Sequence, residues 1–361
     1  MACELETWFK ISILSLVVNL GQLAVGEPQV PCYFIFGDSL VDNGNNNDLQ
    51  TSAKVNYPPY GVDFPGGPTG RFTNGRTRVD ILAELLGFED YIPPFATARG
   101  NGILKGVNYG SGGAGIRNET GQQLGDRICL DTQLENHNVT ISRIAVLLGN
   151  ESLAEEHLRT CLYTVGMGSN DYINNYLRPE FYPTSRLYTP EQYAAVLTEQ
   201  YSRQLRILYN YGARKVGVLG LGPIGCIPFE ANGSLCVGRI NDYVNVFNKK
   251  VLSLVNDLNH NLTDAHFIFI DPSRVLSVDP SSSGITILLT PCCKVSTGYG
   301  KGQCIPHSVP CSIRATSVFF DAFHPTEIVH GLVAAMLYIA MFPNNTYPID
   351  SRTTLTQLSA P

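Results

Sequence analysis

The chain has 361 residues, 44% of them hydrophobic, which is enough apolar material for a large buried core. Its formal net charge is −6 and its pI lies near 5.7; with no Lys/Arg cluster to offset this, nucleic acid is excluded as a partner. Its glycines and prolines fall at turn positions along the whole chain, which suits many short loops and argues against a low-complexity segment.

In chain order, Ile11 to Leu20 is an apolar stretch after Lys10, and Ala24-Val25-Gly26 offers small residues for cleavage. The stretch is too short to span a bilayer, so residues 1–26 read as a signal peptide and no transmembrane anchor is expected. Residues 27–361 read as one domain, because no repeat, heptad array or long linker divides them. Cys32-Tyr33-Phe34-Ile35-Phe36 is a short apolar run that reads as a buried strand, and Gly37 turns the chain to hold Ser39 at its tip. Val79 to Leu86 carries apolar residues at helical spacing. Lys105 to Tyr109 reads as a second strand, followed by the glycine-rich Gly110-Ser111-Gly112-Gly113-Ala114-Gly115. Leu162 to Val165 reads as a third, followed by Gly168-Ser169-Asn170-Asp171. Helical spacing over Pro190 to Tyr209 and Ile240 to Leu258 alternates with strand-like Lys215 to Leu219 and Phe267 to Ile270. Such alternation predicts an α/β fold with a parallel sheet and helices on both faces. The last helix, Thr326 to Met341, is very apolar, but it is shorter than a membrane span and carries Glu327 and His330 near its start. It reads as a buried packing helix.

Cysteine usage points to an oxidising compartment. Cys3 leaves with the signal peptide, Cys226 and Cys236 flank a short loop they can close, and Cys292, Cys293, Cys304 and Cys311 cluster where a Gly/Pro-rich stretch needs stapling. The adjacency of Cys292 and Cys293, without CxxC spacing, argues against zinc. Nine mature cysteines are an odd number, so at least one thiol is free or pairs elsewhere. Six Asn-x-Ser/Thr sequons, at Asn118, Asn138, Asn150, Asn232, Asn261 and Asn344, suit glycosylation of a secreted chain.

In an open parallel sheet the site lies at the C-terminal strand ends. There the chain supplies Ser39, Asn170 and the Gly110–Gly115 segment, while Asp321 and His324 stand three positions apart near the C-terminus. A serine hydroxyl needs a base to take its proton, an imidazole can do so, and a carboxylate can fix the imidazole tautomer. The charge that develops on an attacked carbonyl needs preorganised donors; the Ser39 amide, a glycine amide within Gly112–Gly115 and the Asn170 carboxamide can supply three. Taken singly, each feature has an ordinary reading as a turn, cap or loop residue. Asp38 and Asp42 read as turn residues and Asn45-Asn46-Asn47 as a polar loop. Two stretches, Gly110–Gly115 and Gly220–Gly225, satisfy G-x-G-x-x-G, which raises an NAD-dependent oxidoreductase as a rival. Pro223 and Pro228 after the second, and Gly121 and Gly125 after the first, leave neither with a clean helix to receive a pyrophosphate.

With these residues in place, the chain resembles the plant GDSL esterase/lipases of the SGNH-hydrolase superfamily. The resemblance runs through Phe36 to Asn46, Pro68 to Arg76, Asn108 to Gly115, Gly168 to Asp171, Leu221 to Cys226, Cys292-Cys293 and Asp321 to Pro325. It implies a three-layer α/β/α sandwich like flavodoxin's and hydrolysis of carboxylic esters without metal or organic cofactor. It also implies a Ser39-His324-Asp321 triad and an oxyanion hole from Ser39, Asn170 and a glycine, of which Gly113 is favoured. The expected partner is a small-molecule or lipid ester, and the expected form is a secreted monomer in the cell wall or apoplast. An acyltransferase using the same acyl-enzyme, or a non-catalytic cell-wall binding protein, would share this pattern.

Overall fold

A computed structural model of the chain describes residues 27–231, 233, 235–275, 290–339 and 346–347. The expected signal peptide, Asn232, Asn344 and the end of the last helix lie outside the described residues.

Four parallel strands form the centre: β1 (Tyr33–Gly37), β2 (Leu162–Gly166), β3 (Lys215–Leu219) and β4 (His266–Ile270). A two-residue strand, β5 (Thr346–Tyr347), pairs antiparallel to β4. Around them lie α1 (Arg78–Leu85), α2 (Leu130–Leu148), α3 (Glu151–Thr160), α4 (Pro190–Asn210), α5 (Gly238–Asn261) and α6 (Glu327–Ile339).

Strand side chains alternate between faces, and here both faces are covered. Phe34, Phe36, Tyr163, Val165, Val216, Val218, Phe267 and Phe269 pack into one core with Leu134 of α2, Leu197 of α4 and Phe247 of α5. Tyr33, Ile35, Leu162, Leu219, Ile268 and Ile270 pack into another with Val79 and Leu82 of α1 and Val333 and Leu337 of α6. This gives the three layers, and it explains why the strands read as unbroken apolar runs rather than alternating ones. Two helix starts are equally local. Thr77 opens α1 and Thr189 opens α4, each with a reciprocal capping box closed by Asp80 and Gln192 respectively.

The expected second strand, Lys105 to Tyr109, is corrected. Gly100–Lys105 is a 3-10 turn, and only a bridge at Asn108 survives. That bridge still pairs with β1: the Ile35 N–H donates to the Val107 carbonyl at 3.1 Å and the Tyr109 N–H to the Ile35 carbonyl at 2.8 Å. On its other edge the Asn108 backbone pairs with the Pro93–Phe95 segment, its N–H donating to the Pro93 carbonyl and its carbonyl accepting from the Phe95 N–H, each at 2.9 Å, while its side chain donates to the Val41 carbonyl and accepts from the Gly110 amide. Counting this segment second in the chain, the spatial order runs second, first, third, fourth, fifth, as in flavodoxin-like folds. The topological switch therefore falls at the end of β1, just before Ser39.

α6 starts inside the expected range, packs against α1, and no helix among the described residues is long and apolar enough to cross a membrane. Disulfides join Cys226–Cys236, Cys292–Cys311 and Cys293–Cys304, so the C-terminal cysteine cluster is stapled as expected. A fourth, Cys32–Cys161, ties the start of β1 to the residue before β2, and Cys129 is the buried free thiol.

His137 of α2 is 0% exposed among the rings of Phe34, Phe36, Tyr109 and Tyr163. Burial pushes its pKa down to about 3. An unfolded histidine titrates near ~6.5, so this group's contribution to stability is complete above that value and is lost as pH falls toward its folded value. The melting temperature of the wild type is expected to drop between pH 6.5 and 4.5 more steeply than that of His137→Gln; parallel profiles would contradict this assignment.

Candidate active site

Ser39 follows β1 at the switch point, and the turn that carries it is fixed at both backbone groups of Gly37. The Gly37 N–H donates to Gln133 Oε1 at 3.0 Å, and Gln133 Nε2 donates back to the Gly37 carbonyl at 2.8 Å. A Cβ at Gly37 would lie 2.9 Å from the Gly166 carbonyl oxygen, so the close approach of β1 and β2 here demands glycine.

His324 arrives from the far end of the chain. Its Nε2 lies 2.8 Å from Ser39 Oγ, and its Nδ1 lies 2.9 and 2.8 Å from the two Asp321 carboxylate oxygens. A carboxylate can only accept, so Nδ1 carries the proton and Nε2 is left to accept from the serine hydroxyl. Asp321 is wholly buried and accepts three further bonds: from the Phe323 N–H at 2.8 Å, the His324 N–H at 2.8 Å and the Tyr60 hydroxyl at 2.6 Å. Burial pushes the Tyr60 phenol well above its ordinary pKa, with the Asp321 charge adding to the effect, so the hydroxyl stays protonated and donates. The loop is closed by the Phe320 N–H on the His324 carbonyl at 2.8 Å. It is braced from outside, where the Cys292 and Cys293 amides donate to the Phe319 and Phe320 carbonyls, each at 3.0 Å. The stapled cysteine segment thus supports the backbone that presents Asp321.

Gly113 and Asn170 line the same cavity as Ser39 and His324. Gly112 donates its amide to Asp42 and Gly110 to Asn108, whereas the Ser39 and Gly113 amides are committed to no partner among the described residues. Gly113 has φ +79, a conformation that side chains other than glycine rarely adopt. The Asn170 carboxamide is oriented at both ends: its oxygen accepts from Asn174 Nδ2 at 2.7 Å, and its nitrogen donates to the Ala114 carbonyl at 2.9 Å. One N–H of that nitrogen remains for the cavity.

Asn45 and Asn46 depart from the polar loop expected of Asn45–Asn47. Both are buried, and they hold the glycine segment in place. Asn45 Nδ2 donates to the Asn108 and Gly110 carbonyls, and Asn46 Nδ2 donates to those of Ala53 and Gly112 while its oxygen accepts from Ser111 Oγ. Asp42 accepts from Gly44, Asn45 and Gly112, and burial pushes its carboxyl up to about 6. Asp171, likewise raised to about 6 by burial, accepts from Ile116, Arg117 and Thr120 just beyond the glycines. The two G-x-G-x-x-G stretches open no helix directly. The first leads to a 3-10 turn at Gln122–Leu124 and the second to one at Ile224–Cys226.

The cavity has a volume of about 1460 Å³. Beside His324 it has an aromatic wall in which the Phe229 and Phe323 rings pack tilted at 31° with centroids 4.4 Å apart. Of the sequon asparagines, Asn118, Asn138, Asn150 and Asn261 are exposed.

The profile of the GDSL-like lipase/acylhydrolase family matches residues 33–337. The chain belongs to the GDSL esterase/lipase family. It is 49% identical to GDSL esterase/lipase At1g29660 of Arabidopsis thaliana over 97% of this chain and 98% of that one. It is 50% identical to At1g29670 of the same plant over 91% and 92%. GDSL esterase/lipases act on esters, and this chain is classed with them as an enzyme.

Asn46→Ala would leave two buried carbonyls and the Ser111 hydroxyl without their partner. Each unsatisfied group costs roughly 1–3 kcal/mol, so urea unfolding should show a loss of at least that size; an unchanged midpoint would rule out the bracing role.

Proposed function

We propose that this protein is a secreted serine esterase that hydrolyses carboxylic esters through a Ser39-His324-Asp321 triad and an acyl-enzyme. The observation that carries this reading is the unbroken hydrogen-bonded line from Ser39 Oγ through His324 to the buried Asp321. Ser39 Oγ attacks the ester carbonyl carbon as its proton passes to His324 Nε2, and Asp321 stabilises the imidazolium that forms. The resulting oxyanion is received by the Ser39 and Gly113 amides and the free N–H of Asn170. Collapse of the tetrahedral adduct breaks the ester C–O bond, and Nε2 returns its proton to the departing alcohol. Water then repeats the sequence on the acyl-serine and releases the acid.

Tyr60 acts through Asp321 and is a positioning residue, holding the carboxylate against the ring. The Phe229–Phe323 wall and a cavity above the ~300–1,000 Å³ of ordinary small-ligand pockets favour an apolar acyl or alcohol portion, as in a lipid or other acyl ester. Four disulfides support an oxidising location outside the cell, with the cell wall or apoplast as the expected site and the exposed sequons as glycan acceptors. No second copy is required to complete the triad or the donors, in keeping with a monomer.

Wild-type protein should hydrolyse short p-nitrophenyl esters, and Ser39→Ala should abolish turnover while melting normally. Retained activity in that variant would exclude the mechanism. Asn170→Ala is expected to lower kcat by roughly 10²–10³ with a much smaller change in KM; an effect confined to KM would remove Asn170 from the oxyanion site.

A further inference from the structure

On the α1–α6 side of the sheet the cavity holds a cation that the triad does not use. Arg78, the first residue of α1, lines the cavity with Ser39 yet is only 7% exposed. Among the described residues its side chain makes no hydrogen bond and no ion pair within 4.0 Å, and its Nε has no hydrogen-bond partner. Asp38 is near enough for each group to feel the other's charge, but its carboxylate accepts from the Leu40 amide. Burial pulls the guanidinium pKa down only to about 10, so it remains charged at neutral pH. His330 of α6 lines the same arm at 1% exposure, and its Nδ1 is also without a partner. Burial pushes this imidazole well below its ordinary pKa, so it is neutral and able to donate from one ring nitrogen. The surrounding wall is apolar, with Val79, Val333 and Leu337.

A buried guanidinium whose donors are left without acceptors is costly, and an anionic group entering from the cavity would remove that cost. Its planar fork matches a carboxylate with two parallel hydrogen bonds. A phosphate dianion fits less well, because one cation faces it and Asp38 stands nearby. We propose that this arm is a subsite for a carboxylate carried by the ester substrate, bound by Arg78 with His330 beside it. The proposal rests on the esterase reading of Ser39 and adds to it a substrate class: esters with a free carboxylate a few carbons from the scissile bond.

The carboxylate can belong to either half of the ester, and two matched pairs separate the cases. For the acyl half, p-nitrophenyl hydrogen adipate is compared with p-nitrophenyl hexanoate. For the alcohol half, the butyrate ester of ω-hydroxyhexanoic acid is compared with hexyl butyrate. In the wild type, kcat/KM should favour the charged member of one pair by roughly tenfold or more, the size of a charged hydrogen bond. That ratio should collapse in Arg78→Met and shrink in Arg78→Lys, which keeps the charge but not the fork. Adipate, and not hexane-1,6-diol, should also raise the melting temperature of the wild type and lose that effect in Arg78→Met, a readout independent of turnover. No preference in either pair, a preference that survives Arg78→Met, or no adipate-dependent shift would overturn the subsite. Absence of turnover on all four esters, with the adipate shift intact, would instead count against the esterase reading alone.

Discussion

The carboxylate of Asp321 is the point on which the site depends. It is wholly buried, and four donors converge on it from Tyr60, Phe323 and the backbone and ring of His324. A buried charge is tolerated only when its hydrogen-bonding capacity is met, and a partly met network would be worse than an apolar core. The environment therefore constrains three separate parts of the chain at once. Tyr60 is oriented by the Cys304 amide, which donates to its hydroxyl at 3.0 Å, and Cys304 is itself held by its disulfide to Cys293. The staple, the tyrosine, the acid and the imidazole form one connected support for a single proton acceptor next to Ser39.

A second constraint is topological. Reversal of strand order at β1 opens a crevice between the Asn108 bridge on one side and β2 on the other. The segments leaving these three neighbours bring Ser39, Gly113 and Asn170 to one cavity. The loops there must run through the protein interior, where backbone groups need partners. Asp42, Asn45, Asn46, Gln133 and Asp171 supply them, which is why so many polar side chains are buried around the Ser39 turn. The amides on either side of Gly113 are occupied, Gly112 by Asp42 and Ala114 by the Ser111 carbonyl, while that of Gly113 has no partner among the described residues.

Much of this was legible in the sequence because the deciding interactions are local or periodic. Cys32 to Phe36 reads as a strand because both faces are buried, and α4 is legible in the helical spacing of apolar residues from Pro190 to Tyr209. Asp321 and His324 are three residues apart on one tight loop, so their pairing needed no long-range knowledge. What stayed hidden depends on distant partners. Asn46 bonds a carbonyl 66 residues away and Tyr60 a carboxylate 261 away, and neither carries a local signature of that role. Cys32 and Cys161 are separated by 129 residues, and spacing alone does not pair them. α2 was not anticipated because its inward face mixes Leu130, Leu134 and Ile144 with buried Gln133, His137 and Thr140, which blurs the apolar period. The strand expected at Lys105 to Tyr109 was over-read, since Lys105 belongs to the 3-10 turn of Gly100–Lys105 and only an isolated bridge at Asn108 follows it.

The central claim is that Ser39 is the nucleophile activated by this buried network. It is tested most directly by treating the folded protein with a fluorophosphonate and locating the adduct by peptide mass spectrometry. One phosphonyl group on Ser39, with parallel loss of ester hydrolysis, is the result expected. An adduct on another serine, or hydrolysis that persists with Ser39 fully modified, would contradict it.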